Sequence, residues 1–486
     1  MTNACLNGAG LFAAAGLLAL VALGAACGDD AKPARPSLAL EWVATGELRI
    51  FSSPRAADLT GDGVLDIVLG HGQETLPRAG YVTARDGRTG AEIWRVQARD
   101  EIFGSPGLAD LTGDGTPDVV IGGRNAELYA IDGRSGEVLW LFYPRGHADF
   151  DGWYNFYTPQ FLDDLDGDAV PEVLVANGGD PGLPPFYPRP PGHLMVLSGR
   201  SGAILAAGET PDAGETYMSA LVYRRASDGT DLVIFGTGGE TLAGSLWVVP
   251  LADVIAGDLS RSREVIAPAN RRGLVAPPAL VDLTHDGTLD IVAATFDGRL
   301  VALDGESLDP LWLQQFPDSE TWATPAVGFL DGDAVPDLFA AFSVGMLPAY
   351  TASILVAVSG ATGELLWQER FDLPLLSSPL AVDLVGDDRD EILITLSPLE
   401  EDVNQRLLLI DPDGWRVTEL LATAGTSFGT GLVIDLDADG ALELVQSRFD
   451  DAGWTLERRA LGPLGSDAVS WGAYLGTSYD GSFRAE

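Results

Sequence analysis

The chain has 486 residues and carries 71 acidic against 29 basic side chains, a formal net charge of −42; such a field repels nucleic acid and anionic lipid and attracts cations. Its two cysteines, Cys5 and Cys27, and its single lysine, Lys32, stand near the N-terminus, which removes disulfides, thiolate metal sites and lysine chemistry from the remainder. Apolar residues make up 46% of the chain and are broken into short runs by 59 Gly and 30 Pro, the habit of an all-β protein with enough apolar matter for a core.

In chain order, the first feature is the apolar run Leu11–Ala26, followed by Cys27-Gly28-Asp29-Asp30. It is too short and too alanine-rich for a membrane span and suits a secretory signal. The stretch Gly24-Ala25-Ala26-Cys27 resembles a bacterial lipobox, which implies acylation of Cys27 as the mature N-terminus; the alternative is an ordinary signal peptide cut near Ala26. The expected layout is a signal over 1–26, a tether over 27–40, a folded body over 41–475 and a C-terminal tail over 476–486.

From there one segment keeps returning: an acidic nine-residue stretch, D-x-x-x-D-G-x-x-D, followed by a β-branched run. Copies start at Asp58, Asp110, Asp164, Asp282, Phe329, Asp383 and Asp435, spaced by 52, 54, 118, 47, 54 and 52 residues. The long gap is twice 59, and Leu221–Val233 supplies the missing copy in degenerate form, with Tyr223 and Ser227 in place of two acids. Between copies lies a hairpin signature, DGRTGAEIW at Asp86–Trp94, DGRSGEVLW at Asp132–Trp140 and SGATGELLW at Ser359–Trp367, with weaker versions at Ser198 and Asp304. A proline stands four residues before the acidic stretch at Pro54, Pro106, Pro278, Pro325 and Pro379. Each unit of about 50 residues holds four short strands, one propeller blade.

The chain starts out of phase. Trp42, Phe51, Pro54 and Asp58 match Trp94, Phe103, Pro106 and Asp110 at a shift of 52, so the N-terminus supplies the end of a blade and strands around Trp454 and Trp471 must supply its beginning. The predicted fold is therefore a single all-β propeller of four-stranded antiparallel blades, closed by N- and C-terminal strands in one blade. Eight blades are expected, seven if the degenerate copy has dissolved into loops.

Positions 1, 3, 5 and 9 of the acidic stretch are the candidate cation ligands, because calcium takes six to eight oxygens from carboxylates, carbonyls and water, and alternate residues of a tight loop turn their oxygens inward. They are Asp58, Thr60, Asp62 and Asp66; Asp110, Thr112, Asp114 and Asp118; Asp164, Asp166, Asp168 and Glu172; Asp282, Thr284, Asp286 and Asp290; Asp331, Asp333 and Asp337; Asp383, Asp387 and Glu391; and Asp435, Asp437, Asp439 and Glu443. These positions hold 23 of the 71 acids, and two carboxylates 4 Å apart repel by roughly 4 kcal/mol at an effective dielectric of 20. Plain Asp-Gly turns are the alternative. The first, second, fifth and eighth copies are expected to be the better sites and the third next. The sixth lacks an acid at Phe329 and the seventh has Asp388 for Gly. The four histidines, His71, His147, His193 and His285, show no zinc spacing.

The acidic loops with their following strands resemble the FG-GAP repeats of integrin α-subunit propellers, and the Trp-ended hairpins are similar to the pyrroloquinoline-quinone repeats of quinoprotein-like propellers, among them non-enzymatic envelope lipoproteins. The first resemblance implies several calcium ions per chain. The second implies no quinone here, since the vicinal cysteine pair common in quinoprotein alcohol dehydrogenases is absent. Together they imply a calcium-binding, lipid-anchored, monomeric propeller of the cell envelope, binding a protein or glycan as an adhesion or scaffold module, with the membrane reached only through the lipid. The alternative is a calcium-dependent polysaccharide lyase. For either, the aromatic insertion Phe142–Tyr157, with Arg145, His147, Trp153, Tyr154 and Tyr157, is the candidate ligand surface.

Overall fold

The structure, a computed structural model, describes residues 38–484 apart from 74–76, 144–152, 181, 268–271, 400–402 and 463–465. The signal segment and Cys27 lie outside the described residues, as do Arg145 and His147 of the aromatic insertion. Among the described residues no helix is long and apolar enough to cross a membrane.

Alternating apolar runs between turn residues form eight separate antiparallel sheets arranged as the blades of one propeller. Blade one is typical: a short inner strand Arg55–Ala57, then Asp66–Gln73, Ala79–Arg85 and the outer strand Glu92–Ala98, each paired with the next. The degenerate copy is a complete fourth blade, Leu221–Arg224 through Arg263–Ile266, so the count is eight rather than seven. Blade eight takes its first three strands from Leu432–Ile434, Leu442–Asp450 and Gly453–Gly462 and its fourth, Leu40–Gly46, from the N-terminus. Trp454 belongs to this closing blade, as expected. Trp471 does not: Val469–Trp471 instead adds a fifth strand to the inner edge of blade seven, against Leu380–Val382, because the N-terminal strand already completes blade eight.

Blades are joined by tryptophan. The indole N–H of Trp42, Trp94, Trp140 and Trp312 donates to the carbonyl of Gly87, Gly133, Gly199 and Gly360 in the next blade's hairpin, at 2.7–2.9 Å. Each ring also lies on the second glycine of that hairpin. A Cβ at Gly90 or Gly363 would stand 2.7 or 2.5 Å from the indole, and both residues have φ near +72°, so only glycine fits on either count. In blade four another aromatic serves. Its outer strand has no tryptophan, and Tyr223, the residue that replaces an acid in its degenerate loop, donates its hydroxyl to Gly305 of blade five at 2.9 Å. Trp367 stacks on Trp415 with centroids 5.5 Å apart.

A second ring of contacts surrounds the central channel. The residue before the inner strand's proline, or its counterpart, accepts a backbone N–H from the equivalent residue one blade earlier: Ser53 N–H to Ser105, Ser105 to Thr158, Thr158 to Ser219, Thr324 to Ser378, Ser378 to Thr430 and Thr430 back to Ser53, all at 2.9–3.2 Å. The girdle breaks only at blade five, where Pro277 has neither hydroxyl nor N–H. That break explains why the buried Thr324 Oγ1 has no hydrogen-bond partner.

The channel itself is filled by the chain's own C-terminal segment. The Tyr479 carbonyl accepts from Arg55 of blade one at 3.1 Å and Gln160 of blade three at 3.4 Å, and its hydroxyl accepts the Ala56 N–H at 3.3 Å. Leu280 of blade five exchanges backbone bonds with Gly481 and Phe483 at 2.8 and 2.7 Å, and the Phe483 ring meets Phe329 of blade six. Replacing Pro277 with Ser offers the girdle both of its missing groups. The expected result is a net gain of about 1 kcal/mol, two hydrogen bonds less the lost proline rigidity, read from the urea midpoint; a loss of stability contradicts the girdle.

Candidate metal centre

Each acidic stretch is the connection between a blade's first and second strands, and its carboxylates first of all organise its own backbone. In loop one, Asp58 accepts the N–H groups of Gly61, Asp62 and Gly63 at 2.7, 3.2 and 3.0 Å. Asp62 accepts that of Val64 at 2.9 Å. Asp66, buried, accepts those of Leu59 and Thr60 at 3.1 and 3.2 Å and reaches the hairpin at Gly87 N–H, 3.4 Å away. In loops one, two, five and six positions 3 and 5 point to solvent, as does position 5 of loop seven: Thr60, Asp62, Thr112, Asp114, Thr284, Asp286, Asp331, Asp333 and Asp387 are all exposed. Asp118, Glu172, Asp290, Asp337, Glu391 and Glu443 repeat the buried position 9, and all six accept the N–H of position 2.

Loops three and six show what the first carboxylate does. Both have Ala at position 6. In loop three, Asp164 accepts the Ala169 N–H at 2.8 Å and Ala169 is held left-handed at φ +67°. In loop six, Phe329 stands where the acid should be, and Ala334 is not among the residues with positive φ. The carboxylate, not the residue at the bend, imposes the turn. It does so although a left-handed alanine costs about 1–2 kcal/mol. The same N–H groups hold the exposed Asp164 carboxyl below the usual range.

Burial acts the other way at position 9. It pushes Asp66, Asp290 and Asp337 to about 6, Glu443 to about 7 and Glu391 to about 8. The structure brings the carboxylates of positions 1, 3 and 9 together in two loops: one oxygen each from Asp164, Asp166 and Glu172, and one each from Asp435, Asp437 and Glu443, lie within 4.8 Å of one another. Loops one, two and five have threonine at position 3, so an ion there would draw on Asp58, Asp110 or Asp282, a threonine hydroxyl and backbone carbonyls. Position 5 faces basic side chains in places: Arg200 Nε lies 2.8 Å from Asp168, and Arg134 and Arg389 lie 3.8 Å from Asp114 and Asp387. The fully acidic loop eight holds a buried guanidinium, Arg458, 2.9 Å from Asp437 and 3.0 Å from Glu443. No repeat position announced that residue.

Of the aromatic insertion, Trp153 is half-buried and packs on Phe142 and His193, with centroids 6.3 and 4.7 Å apart, and Tyr154 is half-buried. Tyr157 is buried against Phe103 and Tyr217, and burial raises its phenol well above 10, the wrong direction for a base. The signal for the girdle, a Ser or Thr before the repeated proline at Ser53, Ser105, Thr324 and Ser378, is present in the sequence beside those prolines.

Comparison with known proteins places the fold. Residues 72–382, more than half of the chain, match the family described as FAM234A/B beta-propeller. No curated protein matches at the level of sequence. A europium-containing methanol dehydrogenase superposes with a TM-score of 0.59 at 13% identity, over 87% of this chain and 93% of that one. BamB from Moraxella catarrhalis gives 0.53 at 17%, over 86% and 100%. The exotype rhamnogalacturonan lyase YesX gives 0.54 at 14%, over 88% and 74%. At these identities the likeness concerns the propeller alone.

Two outcomes follow. Ala169→Gly relieves the left-handed strain less glycine's extra chain entropy, so the variant is expected to gain about 0.5–1 kcal/mol in chemical denaturation. The raised position-9 carboxyls keep protons that the unfolded chain, titrating near 4, releases. Their contribution is therefore full below about pH 4 and lost as pH rises through 6 to 8. In chelator, the melting temperature is expected to fall from about pH 5 to pH 8 on their account; a flat profile contradicts their burial.

Proposed function

The chain belongs to the FAM234A/B beta-propeller family, and we propose that it is a calcium-binding propeller serving as a binding or scaffold module of the cell envelope, anchored by a lipid on Cys27. The observation that carries the calcium reading is loop three, where the Asp164, Asp166 and Glu172 oxygens lie within 4.8 Å of one another. Calcium–oxygen distances of about 2.3–2.6 Å put ligands across an ion up to about 5 Å apart, so one ion spans the three. Loop carbonyls and water complete a shell of six to eight oxygens. Loops one, two and five offer similar shells with a threonine hydroxyl at the third position.

The binding-module reading draws support from the channel. Its filling by Tyr474, Leu475, Tyr479 and Phe483 leaves partner contacts to the faces of the ring and the long connections. A protein or glycan partner then meets loops that the ions stiffen. The role is mechanical: an ion that binds only the folded ring at ten times its dissociation constant adds about 1.4 kcal/mol per site.

The test is metal content and thermal melting of residues 28–486 with calcium and with chelator, beside the variant Asp166→Asn. Several ions per chain and a large fall in melting temperature on chelation are expected. Asp166 accepts none of the hydrogen bonds that shape its loop, so the variant should lose one ion and melt like the parent in chelator. A metal-free chain whose melt ignores chelator defeats the proposal.

A further inference from the structure

One of the two loops with acid at every ligand position already holds a buried cation supplied by the chain. Loop eight has carboxylates at all four ligand positions, Asp435, Asp437, Asp439 and Glu443, and Gly440 at the bend. Its third and ninth positions converge on Arg458 of the strand Gly453–Gly462: one terminal nitrogen of the guanidinium lies 2.9 Å from Asp437 Oδ2 and 3.0 Å from Glu443 Oε1. The other terminal nitrogen donates to the Gly87 carbonyl at 3.0 Å, and Nε faces Glu41 at 2.5 Å. Arg458 and Glu443 are buried, with 4% and 2% of their side chains exposed.

Ring closure explains why this happens in blade eight. In blades one, two, five and six the position-9 carboxylate accepts an N–H from the same blade's hairpin, at Gly87, Gly133, Gly305 and Gly360, 2.8–3.4 Å away. Blade eight has no such hairpin, because its fourth strand, Leu40–Gly46, arrives from the other end of the chain. Glu443 therefore lacks the glycine donor, and Arg458 stands in its place, bonding the next blade's Gly87 carbonyl as well. A calcium ion about 2.3–2.6 Å from the same oxygens would have the guanidinium as its immediate neighbour.

We infer that Arg458 is the resident cation of loop eight and that this loop, despite its full acid set, takes no calcium while Arg458 is present. The inference rests on the reading of the other loops as calcium sites, and it makes Arg458 the residue that decides whether loop eight takes an ion.

The experiment counts bound calcium by mass spectrometry of metals on the dialysed chain and follows melting in calcium and in chelator, for the parent, Asp437→Asn and Arg458→Met. Asp437→Asn is expected to leave the calcium count unchanged. Arg458→Met is expected to melt lower than the parent in chelator, to bind one ion more, and to recover most of the lost melting temperature in calcium. A count one lower in Asp437→Asn overturns the inference, as does a folded Arg458→Met that gains no ion. A parent with no calcium defeats the reading of the other loops instead. In that case one ion gained by Arg458→Met still upholds the role of the arginine, and none gained defeats both. Should Arg458→Met not fold, the count in Asp437→Asn decides in a calcium-loaded parent; where the parent is metal-free, failure to fold without a rescuing ion counts against the inference.

Discussion

The ring hangs on the backbone of a few hairpin glycines. The N–H of Gly87 or Gly133 binds the buried position-9 carboxylate of its own blade's acidic loop, and the carbonyl of the same residue takes the indole N–H of the preceding blade. Gly360 repeats the arrangement, and Gly305 does so with a tyrosine as the donor. One residue with no side chain thus joins the shape of an acidic loop to the docking of two blades. A change at the loop that moves the carboxylate is felt at the seam. A propeller has no core common to all its blades, so its stability is largely a sum of such seams, and these loops act at the contacts that sum counts.

This coupling bears on how much was legible in the sequence. The period, the fourth degenerate copy and the out-of-phase start were enough for eight blades and for closure between Trp42 and Trp454, because each depends on local patterns that repeat. Position 9 was read only as a ligand, since a carboxylate two strands from its glycine partner leaves no mark on the spacing. Its burial, and with it the raised pKa, comes from tertiary packing. Tyr223 looked like the decay of an acidic motif; in the fold it fills the place of a missing tryptophan. The quality ranking of the loops rested on the acids and on the residue at the bend, neither of which can see a guanidinium arriving from a strand 15 to 23 residues further along, as Arg458 does for positions 435–443.

The C-terminal segment was legible as a tail in composition only. Its contacts are a few hydrogen bonds to blades one, three and five and a ring contact to blade six, each to a residue far away in sequence, and no pattern encodes them. Their effect is nevertheless global. A ring of blades leaves a hole that side chains of the inner strands must fill or that water occupies, and here Tyr479 and Phe483 fill it. Arg55, 97% buried, is accommodated by carbonyl oxygens and the Tyr479 ring. Burial lowers it to about 10, which still leaves it charged at neutral pH.

Closing a ring with strands from both ends has a local consequence for the closing blade. The closing blade gives up one hairpin, and with it the glycine N–H that its position-9 acid would have used. An unpaired buried carboxylate is costly, and breaking a buried ion pair from one side is costlier than never having it, so the vacancy has to be filled by a donor from another strand. Arg458 does this with a positive charge rather than a peptide N–H. A charge can balance several carboxylates at once, and Glu41, Asp437 and Glu443 all converge on it. Under the proposed calcium reading, acid density along the chain measures the demand for a cation at each loop, while the strand opposite decides whether that cation is an ion from solution or a side chain of the protein.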